Sequence, residues 1–227
     1  PYLPVVSLQG AHFNQSACIS CHTNNGRSAA PASINQKLDA MAIRVASLNA
    51  QGVQVPHPQY GTAIQMNGAA GGTGSRNWGT AVRVGSFQTQ VVKLGDGTSV
   101  EMRKPVLSFE GPVPALFSLR AAQPMIGAGL LEAIPEADIL AGARTAPDAD
   151  GVKGVANFVF DPESGAVRLG RFGWKASKAT LRHQSAEALL IDMGVTSPVY
   201  PNRGCMNGPA ACASGGAQAG ITEADLQ

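Results

Sequence analysis

The stretch Cys18-Ile19-Ser20-Cys21-His22 places two thiols three positions apart and follows them at once with a histidine. This arrangement is typical of covalent attachment of a c-type haem. We expect Cys18 and Cys21 to form thioether bonds with the porphyrin and His22 to bind the iron as proximal ligand. The alternative is a redox or zinc-binding Cys-x-x-Cys, but no second such pair and no histidine pair at zinc spacing accompanies it. The sequence therefore predicts one covalent haem c.

The composition of the chain indicates which class of protein carries this motif. The chain has 227 residues, of which 44% are hydrophobic, enough for an ordinary buried core in a soluble globular protein. Its net charge is only +2 and no cluster of lysine and arginine stands out, so we expect no nucleic-acid partner. No apolar run approaches the roughly eighteen residues of a membrane span. Since the chain opens at Pro1 without the pattern of a signal peptide, we expect a mature form.

The two remaining cysteines indicate a compartment. Cys205 and Cys212 lie in a stretch rich in Pro, Gly and Asn, where little regular structure is expected. A small-loop disulfide between them is the natural interpretation, and a pair of free buried thiols is the alternative. Disulfides and covalent haem both occur outside the bacterial cytoplasm, so the sequence predicts a periplasmic or extracellular location.

The expected fold class is α+β, a cytochrome-c-like helical haem domain with β-hairpin insertions. Ala11–His22 and Asn35–Ala50 are predicted as helices and make residues 1–51 a haem-attachment layer. Residues 52–112 are predicted as a β-rich insertion. Its hairpin turns through Gly95-Asp96-Gly97, between the strands 81–94 and 98–109.

Residues 113–227 are predicted to complete the haem domain. Helical character is expected over 126–143, with Pro135 and Glu136 in the first turn of a second helix. A short hairpin is expected to turn through residues 161–165. Another helix is predicted from an N-cap at Ser177 to Met193, where Gly194 stops it, and Thr222-Glu-Ala-Asp225 resembles a capping box. Because that last helix would be cut short at Gln227, we expect further polypeptide beyond it.

A calcium loop is a further candidate. Asp148, Asp150 and the carbonyl of Val152 alternate like calcium ligands, and Gly151 allows the turn. An acidic turn without metal is the alternative, and the better supported one, since the ligand series of an EF-hand and its terminal Glu are absent.

Several separated motifs together resemble a known family, the bacterial di-haem oxidoreductases, which include peroxidase-like and thiol-oxidoreductase-like proteins within the wider di-haem cytochrome c peroxidase group. This chain is similar to the first-haem half of such proteins. The motifs that carry the resemblance are Phe13-Asn-Gln-Ser-Ala-Cys18, Pro58-Gln-Tyr-Gly61 with Gln65, Met125-Ile-Gly-Ala-Gly-Leu-Leu-Glu-Ala-Ile-Pro135, Asp148-Ala-Asp-Gly-Val-Lys-Gly154, Gly170-Arg-Phe-Gly-Trp174 through Gln184, and Asp192-Met-Gly-Val-Thr-Ser197.

The resemblance implies roles for three residues. Trp174 would conduct electrons between two haems, Gln184 would orient a peroxide such as hydrogen peroxide, and Asp192 would move its proton. Asp stands at residue 192 where the family usually has Glu. Without the resemblance, Trp174 would be interpreted as a core aromatic residue and the two polar residues as an internal pair or a solvated face.

The chain departs from the family in carrying a single Cys-x-x-Cys-His. We expect a second haem domain, lost from this chain or supplied by a redox partner protein. The alternative is a non-enzymatic electron-transfer or assembly subunit with one haem. The sixth iron ligand is open in either case, with Met193 the first candidate and Met125, His57 and His183 the others.

Overall fold

The computed structural model describes residues 12–68, 81–201 and 220–226. Strands account for 32% and helices for 19% of the structure, and the strands form small sheets. The predicted cytochrome-c-like helical haem domain with β-hairpin insertions is therefore wrong. The division of the chain into residues 1–51, 52–112 and 113–227 stays a prediction.

The core is built on one antiparallel sheet centred on β2 (Met41–Leu48). The register places Ile43 of β2 opposite Ile64 of β4 (Ala63–Ile64) on one side and opposite Leu119 of β8 (Leu116–Ala121) on the other. The short strand β3 (Gln54–Val55) pairs with the end of β2. The buried cluster around this sheet comprises Leu38, Met41, Ile43, Val45, Tyr60, Ile64, Met66, Val82 and Val84.

The strand β2 occupies the segment that was expected to form a helix over Asn35–Ala50. Burial alternates along it, with Met41, Ile43 and Val45 inside and their neighbours less buried. This alternation has the two-residue period of a strand, and the β-branched Ile43 and Val45 favour a pleated surface. Met41 and Val45 lie four residues apart, so they satisfy the spacing of a helix as well as the alternation of a strand. The helix prediction failed because it relied on such residues.

Two hairpins form where they were predicted. The strands β6 (Val82–Lys93) and β7 (Ser99–Phe109) pair around the glycine turn, and Gly97 adopts a φ of 88° there. The strands β9 (Phe158–Asp161) and β10 (Ala166–Leu169) form the second hairpin. Val82 and Val84 at the base of the first hairpin belong to the core cluster, and Phe87, Leu107 and Phe109 pack against it. The far ends of both strands are exposed.

The helices are short except for one. The predicted helix over Ala11–His22 is reduced to α1 (Cys18–Cys21), and β1 (His12–Phe13) precedes it and pairs with β5 (Asn67–Gly68). A 3₁₀ turn, Thr23–Asn25, follows α1. The other helices in the part of the chain that the structure describes are α2 (Ala128–Glu132), α3 (Glu136–Ala141), α4 (Leu181–Met193) and α5 (Glu223–Leu226).

Capping residues were predicted at both ends of α4 and at the start of α5, and one of them needs correction. The N-cap of α4 is Thr180 rather than Ser177, and its side chain accepts a hydrogen bond from the backbone N–H of His183. Gly194 ends the helix with a φ of 67°, as expected. The predicted capping box forms in part: the carboxylate of Asp225 accepts the backbone N–H of Thr222, but the Thr222 hydroxyl donates to that carboxylate and the N–H of Asp225 bonds to the backbone carbonyl of Thr222.

Candidate functional site

The motif Cys18–His22 lies at the surface beside the central sheet. Both cysteines are free thiols, Cys18 exposed and Cys21 partly buried. The single turn α1 brings them onto one side of the chain, and His22 ends that turn by donating its backbone N–H to the carbonyl of Cys18 at 2.8 Å. Neither sulfur is in a disulfide, and the Sγ of Cys21 donates to the carbonyl of Asp39 at 3.9 Å.

The ring of His22 is oriented by the segment that follows β8. Its Nδ1 lies 2.7 Å from the carbonyl oxygen of Gln123. A carbonyl only accepts, so Nδ1 carries the hydrogen and Nε2 keeps its lone pair. This is the tautomer that a metal-binding histidine adopts when a backbone carbonyl fixes its orientation. The donor set therefore fits a covalently attached haem, with Cys18 and Cys21 holding the porphyrin and Nε2 of His22 free for the iron.

The C-terminal end of α4 is anchored to the residues just before this motif. The backbone carbonyl of Asp192 accepts hydrogen bonds from the backbone N–H groups of Asn14 at 2.7 Å and Gln15 at 3.2 Å. The side-chain amide of Asn14 also donates to Oδ1 of Asp192 at 3.3 Å. Asn14 is 2% exposed, so this junction is part of the interior.

The carboxyl group of Asp192 lies within electrostatic reach of the motif. Burial raises its pKa, while the charge of Arg44 and the hydrogen bond from Asn14 oppose that rise. Burial, and then the charge of Asp192, raises the pKa of the Cys21 thiol to about 12. Asp192 is therefore close enough to Cys21 for their charges to interact, and its role as a proton carrier stays a prediction.

Trp174 contacts the segment that orients His22. Its indole Nε1 donates to the carbonyl of Ala121 at 2.8 Å, two residues before Gln123. The side chain of Arg27 approaches the indole face, with Cζ 5.5 Å from the ring centroid. Since Trp174 is 47% exposed, it is not the ordinary core aromatic of the alternative interpretation. The Nε1 edge of the indole is thus held by the carbonyl of Ala121, while much of the ring is exposed to solvent.

Gln184 approaches the turn that carries Trp174. A Cβ atom added at Gly173 would lie 3.4 Å from Oε1 of Gln184, and Gly173 itself has a φ of 78°. Gln184 and Asp192 stand eight residues apart on α4, which separates them by roughly 12 Å along the axis. The structure therefore pairs Gln184 with the Trp174 turn and Asp192 with the haem-attachment motif, rather than the two with each other.

The candidates for a sixth iron ligand differ in their surroundings. The ring of His183 is buried, with Nε2 2.8 Å from the hydroxyl of Tyr200, so that nitrogen is already engaged. Nδ1 of His57 accepts backbone N–H groups from Gln59 and Tyr60, both at 3.2 Å. Met125 is 39% exposed, and Met193 is partly buried. Ligation by Met193 stays a prediction.

Two further predictions concern other parts of the chain. Asp148 uses its carboxylate to accept the backbone N–H groups of Asp150 and Val152 and the guanidinium of Arg144. In the part of the chain that the structure describes, no group of three or more His, Cys, Asp or Glu residues could hold a metal ion. The predicted disulfide between Cys205 and Cys212 lies outside the described residues.

Sequence reasoning missed three contributors to this site. Asn14 was noted only as part of a motif, and neither Arg27 nor the carbonyl of Gln123 was singled out. Each acts through a contact between residues far apart in the chain, so no local spacing could have indicated it.

Comparison with known proteins supports the predicted family. Residues 114–223 match the family model described as "Di-haem oxidoreductase, putative peroxidase". The resemblance is confirmed over this stretch. The stretch contains the segment that orients His22 as well as Trp174, Gln184 and Asp192.

The other comparisons add no relatives. No curated protein matches the chain. No solved structure matches it either. Among the described residues, no helix combines the length and the apolar character needed to cross a membrane.

Proposed function

We propose that this chain is a c-type haem redox protein, the first-haem part of a di-haem oxidoreductase that reduces peroxide or oxidises a substrate. The observation that carries the proposal is the hydrogen bond between Nδ1 of His22 and the carbonyl of Gln123, at 2.7 Å. It prepares Nε2 to bind iron at the histidine that two free thiols precede. The match of residues 114–223 to a di-haem oxidoreductase family supports the same conclusion.

Each side chain then has a definite task. Cys18 and Cys21 hold the porphyrin, His22 holds the iron, and the bound haem supplies one-electron redox chemistry and a place for a small oxidant. The carboxyl of Asp192, whose pKa burial raises, keeps a proton to higher pH than an ordinary aspartate and can transfer it. The amide of Gln184 offers both a donor and an acceptor for orienting a small polar molecule.

Trp174 is proposed as the point where electrons enter. Its indole nitrogen and the ring of His22 are bound to carbonyls only two positions apart, Ala121 and Gln123. The exposed part of the indole is available to a second haem domain or another redox partner, which suits an amphipathic aromatic residue at an interface. Covalent haem and a disulfide between Cys205 and Cys212 would both place the protein in the bacterial periplasm or outside the cell.

One feature favours a second function. The 227 residues contain a single Cys-x-x-Cys-His, which suits an electron-transfer or assembly subunit with one haem. The purified haem protein distinguishes the two functions. Consumption of hydrogen peroxide with a change in the visible spectrum supports the enzyme, and an unchanged spectrum without consumption supports the carrier.

The first experiment tests attachment. We expect wild-type protein, produced in a periplasm with the cytochrome c maturation machinery, to weigh one haem more than the polypeptide and to keep its pigment in acidified organic solvent. The double variant Cys18→Ala, Cys21→Ala should lose the covalent pigment. The matched control Cys205→Ser, Cys212→Ser leaves the motif intact and should retain it. Release of the pigment from the wild type on denaturation would contradict the proposal.

The second experiment tests electron entry. Trp174→Phe should retain haem but slow reduction of the iron by a protein electron donor in stopped flow, because the indole on the proposed path is removed. Phe87→Leu serves as control, because Phe87 on β6 also has an arginine, Arg103, over its ring, and this variant should reduce at the wild-type rate. Equal rates for Trp174→Phe and the wild type would refute the role of Trp174.

A further inference from the structure

A buried polar cluster lies beside the redox site and takes no part in the proposed function. His183 on α4 is only 3% exposed, and Nε2 of its ring lies 2.8 Å from the hydroxyl of Tyr200. On the other side of the ring, Nδ1 faces the carboxylate of Asp161, whose side chain is 1% exposed, at 3.8 Å. Asp161 ends β9, so the cluster joins the second hairpin, α4 and the segment after α4.

The surroundings of the imidazole ring determine where its hydrogen lies. Among the described residues, Nδ1 of His183 has no hydrogen-bond partner, and the carboxylate of Asp161, which can only accept, lies 3.8 Å from it. The hydrogen is therefore best placed on Nδ1, where the negative charge stabilises it. Nε2 then presents a lone pair, and the hydroxyl of Tyr200 donates to it.

The charges of the three groups agree with this arrangement. Burial, together with the positive charge of Lys178, lowers the pKa of His183 and keeps the imidazole neutral near neutral pH. Burial, and then the charges of Glu187 and Asp161, raises the pKa of Tyr200 to about 12. Burial alone would raise the pKa of Asp161, but hydrogen bonds from Ser164, Glu163 and Arg168 lower it overall. The neutral imidazole of His183 therefore lies between the phenol of Tyr200 and the carboxylate of Asp161.

We propose that Tyr200 is a redox-active tyrosine, which a high-potential one-electron oxidant converts to a neutral phenoxyl radical while His183 takes up the phenolic proton. The electron passes to the oxidant, which is reduced by one electron. The O–H bond of Tyr200 breaks and an N–H bond forms at Nε2 of His183. The resulting imidazolium lies 3.8 Å from the carboxylate of Asp161, so the new positive charge is partly balanced inside the protein.

Proton transfer is what makes this tyrosine different from another in the same molecule. A phenol that loses an electron becomes a very strong acid, so a nearby base lowers the barrier to its oxidation. Tyr60 is buried, whereas Tyr200 is partly buried, and the hydroxyl of Tyr60 donates to the backbone carbonyl of Pro112 at 3.0 Å. An amide carbonyl is too weak a base to take the proton. Tyr60 is therefore an internal control with a hydrogen bond and without a base.

The inference stands apart from the proposed haem chemistry, because any sufficiently strong one-electron oxidant serves. Loss of haem attachment would leave it intact, and absence of the radical would leave the haem proposal intact. If both hold, Tyr200 would give a single oxidising equivalent a place to reside within the protein.

The experiment uses photochemically generated tris(bipyridine)ruthenium(III) as the oxidant and freeze-quenched EPR as the readout. The sequence contains three tyrosines, Tyr2, Tyr60 and Tyr200, so single Tyr→Phe variants assign the signal. We expect a phenoxyl signal in the wild type, in Tyr2→Phe and in Tyr60→Phe, and its loss in Tyr200→Phe. Ring-deuterated tyrosine, which narrows a phenoxyl signal, separates it from a tryptophan radical.

A second variant tests the role of the base. His183→Gln keeps a hydrogen-bond acceptor for Tyr200 but removes the base, so the radical should form roughly a hundredfold more slowly in transient absorption. Circular dichroism checks that the His183→Gln variant is folded before its rate is compared. A phenoxyl signal that survives Tyr200→Phe, or an unchanged rate in folded His183→Gln, would overturn the proposal.

Discussion

Asn14 makes a junction between two segments that lie 178 positions apart in the chain. Its side-chain oxygen accepts the backbone N–H of Met66 at 3.0 Å, while its amide nitrogen donates to the carboxyl of Asp192. Both ends of the amide are therefore used in the interior, and the residue fixes the carboxyl group beside the haem-attachment motif. An apolar residue of similar size would leave a backbone donor and a carboxyl without their partner.

We expect Asn14→Leu to lower the free energy of unfolding by about 1–3 kcal/mol, the cost of leaving buried polar groups unsatisfied. Urea denaturation followed by circular dichroism measures it. The control is Gln15→Ala at the next position, where the bond to Asp192 comes from the backbone and survives the substitution. If the two variants lost the same stability, the side chain of Asn14 would have no special role.

At the scale of elements, α4 carries most of the proposed chemistry, and its first turn depends on one hydroxyl. Oγ1 of Thr180 accepts the backbone N–H of His183 at 2.9 Å. This bond satisfies one of the free N–H groups at the start of the helix and holds the backbone at the residue that contacts Tyr200.

Thr180→Ala should destabilise the protein by about 1 kcal/mol, because the cap is lost. Thr180→Ser keeps an oxygen in place and should retain most of the stability. Thermal unfolding of both variants makes the comparison. An equal loss for serine and alanine would show that packing of the threonine methyl, which both variants lack, stabilises this end rather than capping.

Local signals explain which elements could be predicted from the sequence. Gly95 to Gly97 and Gly194 impose turns and a helix end through backbone conformation alone, so both hairpins and α4 were predicted close to their positions. The strand β2 was mistaken for a helix because its partners, β4 and β8, determine its conformation, and β8 begins about seventy residues away. The cytochrome-c-like expectation failed with it.

In the candidate site, too, the residues of a local motif could be predicted from the sequence, and those that act through long-range contacts could not. Cys18, Cys21 and His22 form a motif that is legible in five consecutive residues. The carbonyl of Gln123 and the amide of Asn14 are ordinary in sequence and acquire meaning only through long-range contacts. Trp174, Gln184 and Asp192 came from resemblance to a family, and their catalytic roles stay predictions.

For the molecule as a whole, the buried cluster predicts sensitivity to acid. The pKa of His183 is lowered from 6.5 on folding, so below pH 6.5 the unfolded chain binds protons that the folded chain does not, and stability falls. The pKa of Asp161 is lowered from 3.8, so its contribution is also present at higher pH and is lost in stronger acid. Both changes weaken the same junction of the second hairpin with α4.

Urea midpoints measured from neutral pH downwards should decline below pH 6.5, and His183→Gln should decline less steeply over that interval. The difference between the two curves isolates His183 from His57, whose pKa burial also lowers. Parallel curves for the two proteins would show that His183 contributes nothing to the acid response.

The bond between Asn14 and the end of α4 also has a consequence for biosynthesis. The cysteines proposed to accept the porphyrin are translated well before the helix end that is bonded to their neighbourhood. Contacts so distant in sequence form late, since a long loop must close first. An assembly enzyme would therefore meet the thiols on a pliable strand, and completion of the polypeptide would then lock the pigment's surroundings into place.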